Sequence, residues 1–271
     1  MQNTQKPYVS SIKRKLAKEA AKEAVKASVW RDDLYLADFA ANEERTMHKQ
    51  LIVLDLNGTL VHRLQKVGDT RKVVARPGLG EFLNFALENF AVMVWSSAQP
   101  ASVVSMLKSG FGAHAQHLVR VWDRRFCDME GKYFSKTKTI KDLSRITDGF
   151  DLSQSPNCNV YGTYDGYLGV YPAKQGHWKL EDIVLIDDSE SKATLQKENH
   201  IFISTFAGQE CDFELSFLQS YLQAYVDQKD AFPHLLDYVK TNPWLEYHKK
   251  AIGNSDEIEF DLNDEMNALL L

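Results

Sequence analysis

The stretch Leu51-Ile52-Val53-Leu54-Asp55-Leu56-Asn57-Gly58-Thr59-Leu60 constrains this chain more than any other. Its apolar opening has the length and composition of a strand buried on both faces, as the strands of a parallel sheet are. Directly after it come a carboxylate, a second polar side chain two residues on, and a Gly-Thr turn. Open α/β sheets bind ligands beyond the carboxyl ends of their strands, so these polar residues stand where such a sheet keeps its chemistry. Asp55 is a candidate nucleophile, because an aspartate attacking phosphorus divides one hard displacement into two easier ones. Asn57 breaks that design. The position calls for a group that protonates a leaving oxygen and then deprotonates water, and an amide does neither.

Strand and helix signals alternate along the rest of the body. Residues 51–54, 91–95, 118–121, 183–186 and 200–203 read as strands, and 79–88, 101–108, 191–197 and 213–226 as helices. This alternation predicts an α/β fold, a Rossmann-like parallel sheet with helices on both faces, a small insertion and helical terminal extensions. Right-handed crossovers then bring Asp55, Ser96 and the pair Asp187-Asp188 to one edge.

Three regions follow. Residues 1–47 form a basic extension, with eight Lys and Arg against two Glu between Lys6 and Arg31 and apolar residues at helical spacing. Such a segment contacts a protein or RNA, addresses the chain to mitochondria, or packs on the domain by its apolar stripe. Glu19 and Glu23 weigh against the targeting role. Residues 48–230 form the main domain, and 148–178 within it are rich in Tyr and Gly, as a recognition surface, a self-burying hairpin or a protein-binding face would be. Residues 231–271 carry a last helix and an acidic tail.

Composition sets the remaining bounds. The 32 basic and 37 acidic residues leave a net charge of −5, which does not mark a nucleic-acid-binding protein as a whole. Three dispersed cysteines without a C-x-x-C pair suit a reducing compartment. No apolar run reaches membrane-spanning length.

In their order along the chain, the motifs resemble the haloacid dehalogenase superfamily. Asp55-Leu56-Asn57-Gly58-Thr59 resembles its D-x-D-x-T motif with Asn in place of the second Asp. The following Leu60-Val61-His62, with Arg76-Pro77-Gly78-Leu79-Gly80, Val92-Met93-Val94-Trp95-Ser96-Ser97, Ile140-Lys141-Asp142-Leu143-Ser144-Arg145 and Val184-Leu185-Ile186-Asp187-Asp188-Ser189, is similar to the RNA polymerase II C-terminal-domain phosphatase branch, also called NLI-interacting-factor-like. The resemblance covers roughly residues 48 to 226.

It implies catalytic positions at Asp55, Asn57, Ser96 and Lys141, and a Mg²⁺ site formed by Asp55, the backbone carbonyl of Asn57, and Asp188. Thr59, Ser97 and Asp187 would bind phosphate or support these groups. The implied activity is hydrolysis of phosphoserine or phosphothreonine in protein segments through an aspartyl-phosphate, slowed by Asn57. The alternative is a pseudophosphatase acting as a scaffold or adaptor in a larger assembly, since the branch includes an essentially non-catalytic subunit of the mitochondrial presequence translocase. The implied compartment is intracellular, nuclear or cytoplasmic, with the mitochondrion as the alternative.

Overall fold

The computed structural model describes residues 39–64, 72–131, 135, 137–150 and 177–253. Most of the 1–47 extension, most of the 148–178 segment and the acidic tail lie outside the described residues. The chain runs α1 (Phe39–Thr46), β1 (Leu51–Leu54), β2 (Val61–Arg63), β3 (Val73–Ala75), α2 (Leu79–Asn89), β4 (Ala91–Trp95), α3 (Pro100–Gly110), β5 (Arg120–Trp122), β6 (Asp128–Met129), β7 (Thr139–Ile140), α4 (Ser144–Thr147), β8 (Ile183–Asp187), β9 (His200–Phe202), α5 (Glu214–Val226) and α6 (Leu235–Thr241). A further helical segment occupies 244–253.

Five strands form one parallel sheet in the order β5-β4-β1-β8-β9, with β2–β3 and β6–β7 as antiparallel pairs beside it. From β1 the chain steps outward one way through β4 to β5, then crosses back to β8 and steps the other way to β9. The reversal falls at β1, where both neighbours belong to different halves of the fold, and such a switch point opens a crevice above the strand ends. Every residue of β1, β4 and β8 is buried, which is why these strands read as apolar runs rather than alternating ones.

Side-chain parity divides the core into two faces. Ile52, Leu54, Val92, Val94, Val184 and Ile186 pack beneath α2, α3, α5 and α6. Leu51, Val53, Met93, Trp95, Ile183 and Leu185 point the other way, against Trp122, Phe126, Leu143, Ile146, Trp178 and Ala193. Right-handed crossovers explain the division: connections moving outward to β4 and β5 lie on the first face, while the returns to β8 and β9 lie on the second. Among the described residues that second face is covered by the short α4, 3₁₀ turns and loops rather than long helices. Burying each large apolar side chain contributes about 1.5–3 kcal/mol, so a charge at Val53 or Leu185 would break the sheet at its centre.

Two expectations need correction. The helix expected over 191–197 is instead two 3₁₀ turns, Glu190–Lys192 and Lys197–Asn199, joined by bends. The backbone there bonds outward, with the Lys192 carbonyl accepting from the Lys141 amide at 2.8 Å and the Gln196 side chain bonding Leu143 N and Asp142. The edge strand begins at Arg120 rather than Leu118, although the Val119 amide still donates to the Val92 carbonyl at 2.9 Å.

At the opposite, amino-terminal end of the strands, α1 is tied down by Asn42, which donates to the carbonyls of Gln116 and Leu118, and by a buried Glu43–Arg120 pair. An open cleft of about 610 Å³ beside it includes Lys49, Phe90, His114 and His117 in its lining, remote from the carboxylates described next. Residues 235–244 contribute Leu235, Tyr238, Val239 and Trp244 to the first-face core.

Candidate active site

Register sets the site. Leu54 pairs with Ile186 of β8 and Val94 of β4, so Asp55 stands level with Asp187, and Ser96 and Asp188 lie one residue further out. The Asp55 amide donates to the Ile186 carbonyl at 3.0 Å, continuing the ladder to the nucleophile position. Asp55 shares the parity of Leu51 and Val53, and Asp187 that of Ile183 and Leu185, so both carboxylates turn toward the second face. The 139–143 and 189–193 loops arrive on that face, each bearing a lysine.

The result is a buried ionic cluster. Lys141 Nζ donates to Asp55 Oδ1 at 2.8 Å and to Asp187 Oδ2 at 2.6 Å, all three side chains being at most 1% exposed. Lys192 Nζ reaches the other oxygen of each carboxylate, Asp187 Oδ1 at 3.2 Å and Asp55 Oδ2 at 3.5 Å. The Ser189 amide also donates to Asp187 Oδ1. Burial pushes the Asp55 carboxyl up, but Lys141, Lys192 and the Leu56 amide outweigh it and hold Asp55 below the usual carboxylate range. Asp55 is thus ionised, as a nucleophile or metal ligand must be. Asp188 moves the other way: burial raises it, with Lys192 opposing and Asp55 and Asp187 adding to the rise. The Lys192 ammonium is desolvated, yet the three carboxylates raise it above its ordinary value. Cys127 lies in the adjoining core, its thiol pushed up to about 12 by burial.

The loop after β1 is built around Asp188. Gly58 has a φ of +95°, and a β-carbon there would stand 2.4 Å from Asp188 Oδ2, so only glycine fits. Thr59 Oγ1 donates to Asp188 Oδ1 at 3.3 Å and accepts from the Asp188 amide at 3.1 Å. Its hydroxyl therefore orients an acidic residue rather than meeting a ligand directly. Asn57 Oδ1 accepts from the amide of Arg63 at 3.2 Å and from its Nε at 3.3 Å. Ser96 is buried at the end of β4, and its Oγ accepts from the Ala98 amide at 3.3 Å.

Arg76 locks this loop to the rest of the domain. The guanidinium is fully buried and forks onto Asp212 through Nε at 2.7 Å and Nη2 at 2.9 Å. Nη1 donates to the carbonyls of Thr59 and Ser204 at 3.0 and 2.9 Å, and Nη2 to Ser204 Oγ. One side chain thereby joins the β1 loop, the segment after β9 and the start of α5.

Asp55, Asp187 and Asp188 each offer a carboxylate oxygen within 4.8 Å of the others, the one group of this kind among the described residues. An all-oxygen donor set with partial access to solvent fits a hard divalent cation such as Mg²⁺. Asp55, Lys141, Asp187 and Asp188 are brought together, with Thr59 behind them; Ser96 and Ser97 follow the neighbouring strand. Sequence reasoning missed Lys192, Arg63 and the Arg76–Asp212 pair. A lysine four residues after Asp188 was the available signal for Lys192, but the residue fell inside the helix expected over 191–197. Arg76 and Asp212 lie 136 residues apart, and no local pattern links them.

A five-stranded parallel sheet with a lysine-bridged carboxylate pair and a third acid at its switch point defines a haloacid dehalogenase-type, phosphatase-like domain. The chain belongs to the NLI interacting factor-like phosphatase family, whose model matches residues 50–232. It is similar to an uncharacterized FCP1 homology domain-containing protein of Schizosaccharomyces pombe, 27% identical over 203 residues that make up 70% of this chain and 76% of that protein. A CTD phosphatase-like protein of Invertebrate iridescent virus 3 is 26% identical over 189 residues, 58% of this chain and 84% of the viral protein. Among solved structures, Fcp1, an essential RNA polymerase II CTD phosphatase, aligns at 15% identity and a TM-score of 0.36, covering 74% of this chain and 55% of its own. A variant of the fission yeast phosphatase bound to beryllium fluoride aligns at 13% identity and the same TM-score, over 74% of this chain and 56% of its own. Among the described residues no helix is long and apolar enough to cross a membrane.

Proposed function

We propose that the chain is a Mg²⁺-dependent phosphatase acting on phosphoserine or phosphothreonine in protein segments. The observation that carries this reading is the bridge from Lys141 to both Asp55 and Asp187 beside Asp188, buried at the ends of the central strands. Asp55, Asp188 and the Asn57 carbonyl would hold the cation, which would supply charge neutralisation for the phosphoryl group. An Asp55 oxygen attacks phosphorus and the ester P–O bond breaks, leaving an aspartyl-phosphate and an alkoxide that takes its proton from water. Water then attacks the phosphorus and releases phosphate, regenerating the carboxylate. Lys141 keeps the Asp55 anion oriented, while Ser96 and the amides near Ser97 donate to the phosphoryl oxygens. Family membership and the CTD phosphatase-like viral relative support a phosphoprotein substrate.

Asn57 sets the rate. General acid–base catalysis typically contributes about 10²- to 10⁴-fold, so turnover on a phosphoserine peptide is slow, while an activated aryl phosphate, whose leaving group needs no proton, is cleaved faster. A second reading rests on the same residue. With its side-chain oxygen engaged by Arg63, Asn57 suits a binding site, and the chain then serves as a pseudophosphatase scaffold or adaptor in a larger assembly. The 1–47 extension, with RNA or protein as partner, the 148–178 segment and the acidic tail are the contact regions of that alternative.

Both readings meet one assay: release of phosphate from an aryl phosphate and a phosphoserine peptide, with and without Mg²⁺, by wild type and Asp55→Asn. Mg²⁺-dependent turnover that vanishes in the variant supports the phosphatase. Undiminished turnover in Asp55→Asn removes the nucleophile assignment, and no turnover in wild type on either substrate leaves the scaffold.

A further inference from the structure

Lys192 is a second ammonium in a site where Lys141 already bridges the two central carboxylates. Lys141 takes one oxygen from each of Asp55 and Asp187, and Lys192 takes the other. The two lysines differ in their access to solvent. Lys141 is sealed in, whereas the Lys192 side chain is 13% exposed and sits on a 3₁₀ turn at the rim. Its backbone is held, the amide donating to the Ser189 carbonyl and the carbonyl accepting from the Lys141 amide. The flexible four-carbon stem therefore carries a charge that can leave the cluster while its anchor stays fixed.

A divalent cation on Asp55 needs an oxygen that Lys141 does not occupy, and Lys192 stands beside that oxygen. Two cations this close repel strongly in a partly desolvated site. We propose that Lys192 is a tethered, displaceable counter-cation: it holds the acidic cluster together without metal, competes with Mg²⁺ for the free oxygen of Asp55, and sets a weak metal affinity. This rests on the metal reading of the site given above. The chain thus carries its own competitor for the metal, and its response to Mg²⁺ is graded by one side chain.

The test is calorimetric titration of the purified chain with Mg²⁺ alone, beside thermal unfolding with and without the ion, for wild type, Lys192→Met and Lys192→Arg. Lys192→Met binds Mg²⁺ more tightly by roughly 10- to 100-fold, the range over which groups touching ligand residues move metal affinity. Without metal it melts below wild type, because three carboxylates then face one ammonium, and saturating Mg²⁺ raises its melting temperature more than that of wild type. Lys192→Arg keeps the charge and the weak affinity. Equal or weaker Mg²⁺ binding by folded Lys192→Met overturns the role of Lys192 while leaving the metal site standing. Absence of binding by wild type and both variants overturns the metal reading and this inference together. Should Lys192→Met not fold, Lys192→Gln supplies the same comparison.

Discussion

Arg76→Met tests whether the β1 loop is held by one buried cation. The substitution preserves much of the apolar stem and removes the guanidinium with its five hydrogen bonds, to both Asp212 oxygens, the Thr59 and Ser204 carbonyls and Ser204 Oγ. It leaves behind a carboxylate whose side chain is only 9% exposed. Breaking a buried ion pair by deleting one partner costs about 3–5 kcal/mol. The abandoned carbonyls belong to the same loss, so we take about 4 kcal/mol as the expected total. A typical domain is held by about 5–15 kcal/mol, so the variant folds but sits near its limit. In urea, with a slope of about 2 kcal/mol per molar, the midpoint falls by about 2 M. Arg76→Lys retains charge without the fork and falls between the two. Adding Asp212→Asn to Arg76→Met recovers part of the loss by removing the stranded charge. A midpoint for Arg76→Met within about 0.3 M of wild type, roughly 0.6 kcal/mol on the same slope, or a double variant no more stable than the single one, would refute the clamp.

Three further outcomes are expected. Gly58→Ala combines positive-φ strain of about 1–3 kcal/mol with a β-carbon driven into Asp188; calorimetry should show Mg²⁺ affinity reduced at least about tenfold, and wild-type affinity would contradict the packing argument. Asn57→Asp raises peptide turnover less than the full general-acid contribution, because the Arg63 groups on that oxygen favour an ionised carboxylate; pairing it with Arg63→Gln should raise turnover further, and an equal or lower rate for the pair sinks this reading. Burial pushes Asp142 up, but the Ser144 hydroxyl and amide, Gln196 and Arg145 together hold its carboxyl below the usual range. A carboxyl depressed by folding stabilises the domain above its unfolded value, near ~4, and that contribution is lost as pH falls through the folded value. Asp142→Asn should therefore be about 1 kcal/mol less stable than wild type at pH 7, the site being partly screened by solvent. Urea titrations should find that gap closing as pH falls below the unfolded carboxyl value and the wild-type side chain also becomes neutral; a gap constant with pH refutes the assignment.

The central strands were legible because burial on both faces leaves no polar interruption in Leu51–Leu54, Ala91–Trp95 or Ile183–Asp187. The acidic residues that close β1 and β8 were legible for the complementary reason: a carboxylate directly after such a run has few places to be except a strand end. Lys141 was visible through family resemblance alone, since a lysine followed by Asp-Leu-Ser carries no local signal of burial. Lys192 was misplaced because local pattern favoured a helix over 191–197, whereas the backbone there bonds to the lysine loop instead. The Arg63 contact to Asn57 depends on β2 folding back beside the nucleophile loop, which periodicity over a three-residue strand cannot reveal. The uneven covering of the two faces among the described residues was likewise hidden, because it follows from the direction of each crossover rather than from any one segment.

Phe150 and Trp178 mark the two ends of the segment between the lysine loop and β8, and both are seated on the second-face core. Phe150 meets Phe126 edge-on at 5.8 Å beneath the Arg145 guanidinium, while Trp178 is buried under Arg120 and its indole donates to the Lys49 carbonyl at 2.8 Å. Each anchor is packed on the core by its own contacts, apart from those that bring Lys141 to Asp187. For evolution or for an engineer this is a graft point. A foreign recognition element spliced between those two aromatic anchors would be tethered to the existing core at both of its ends.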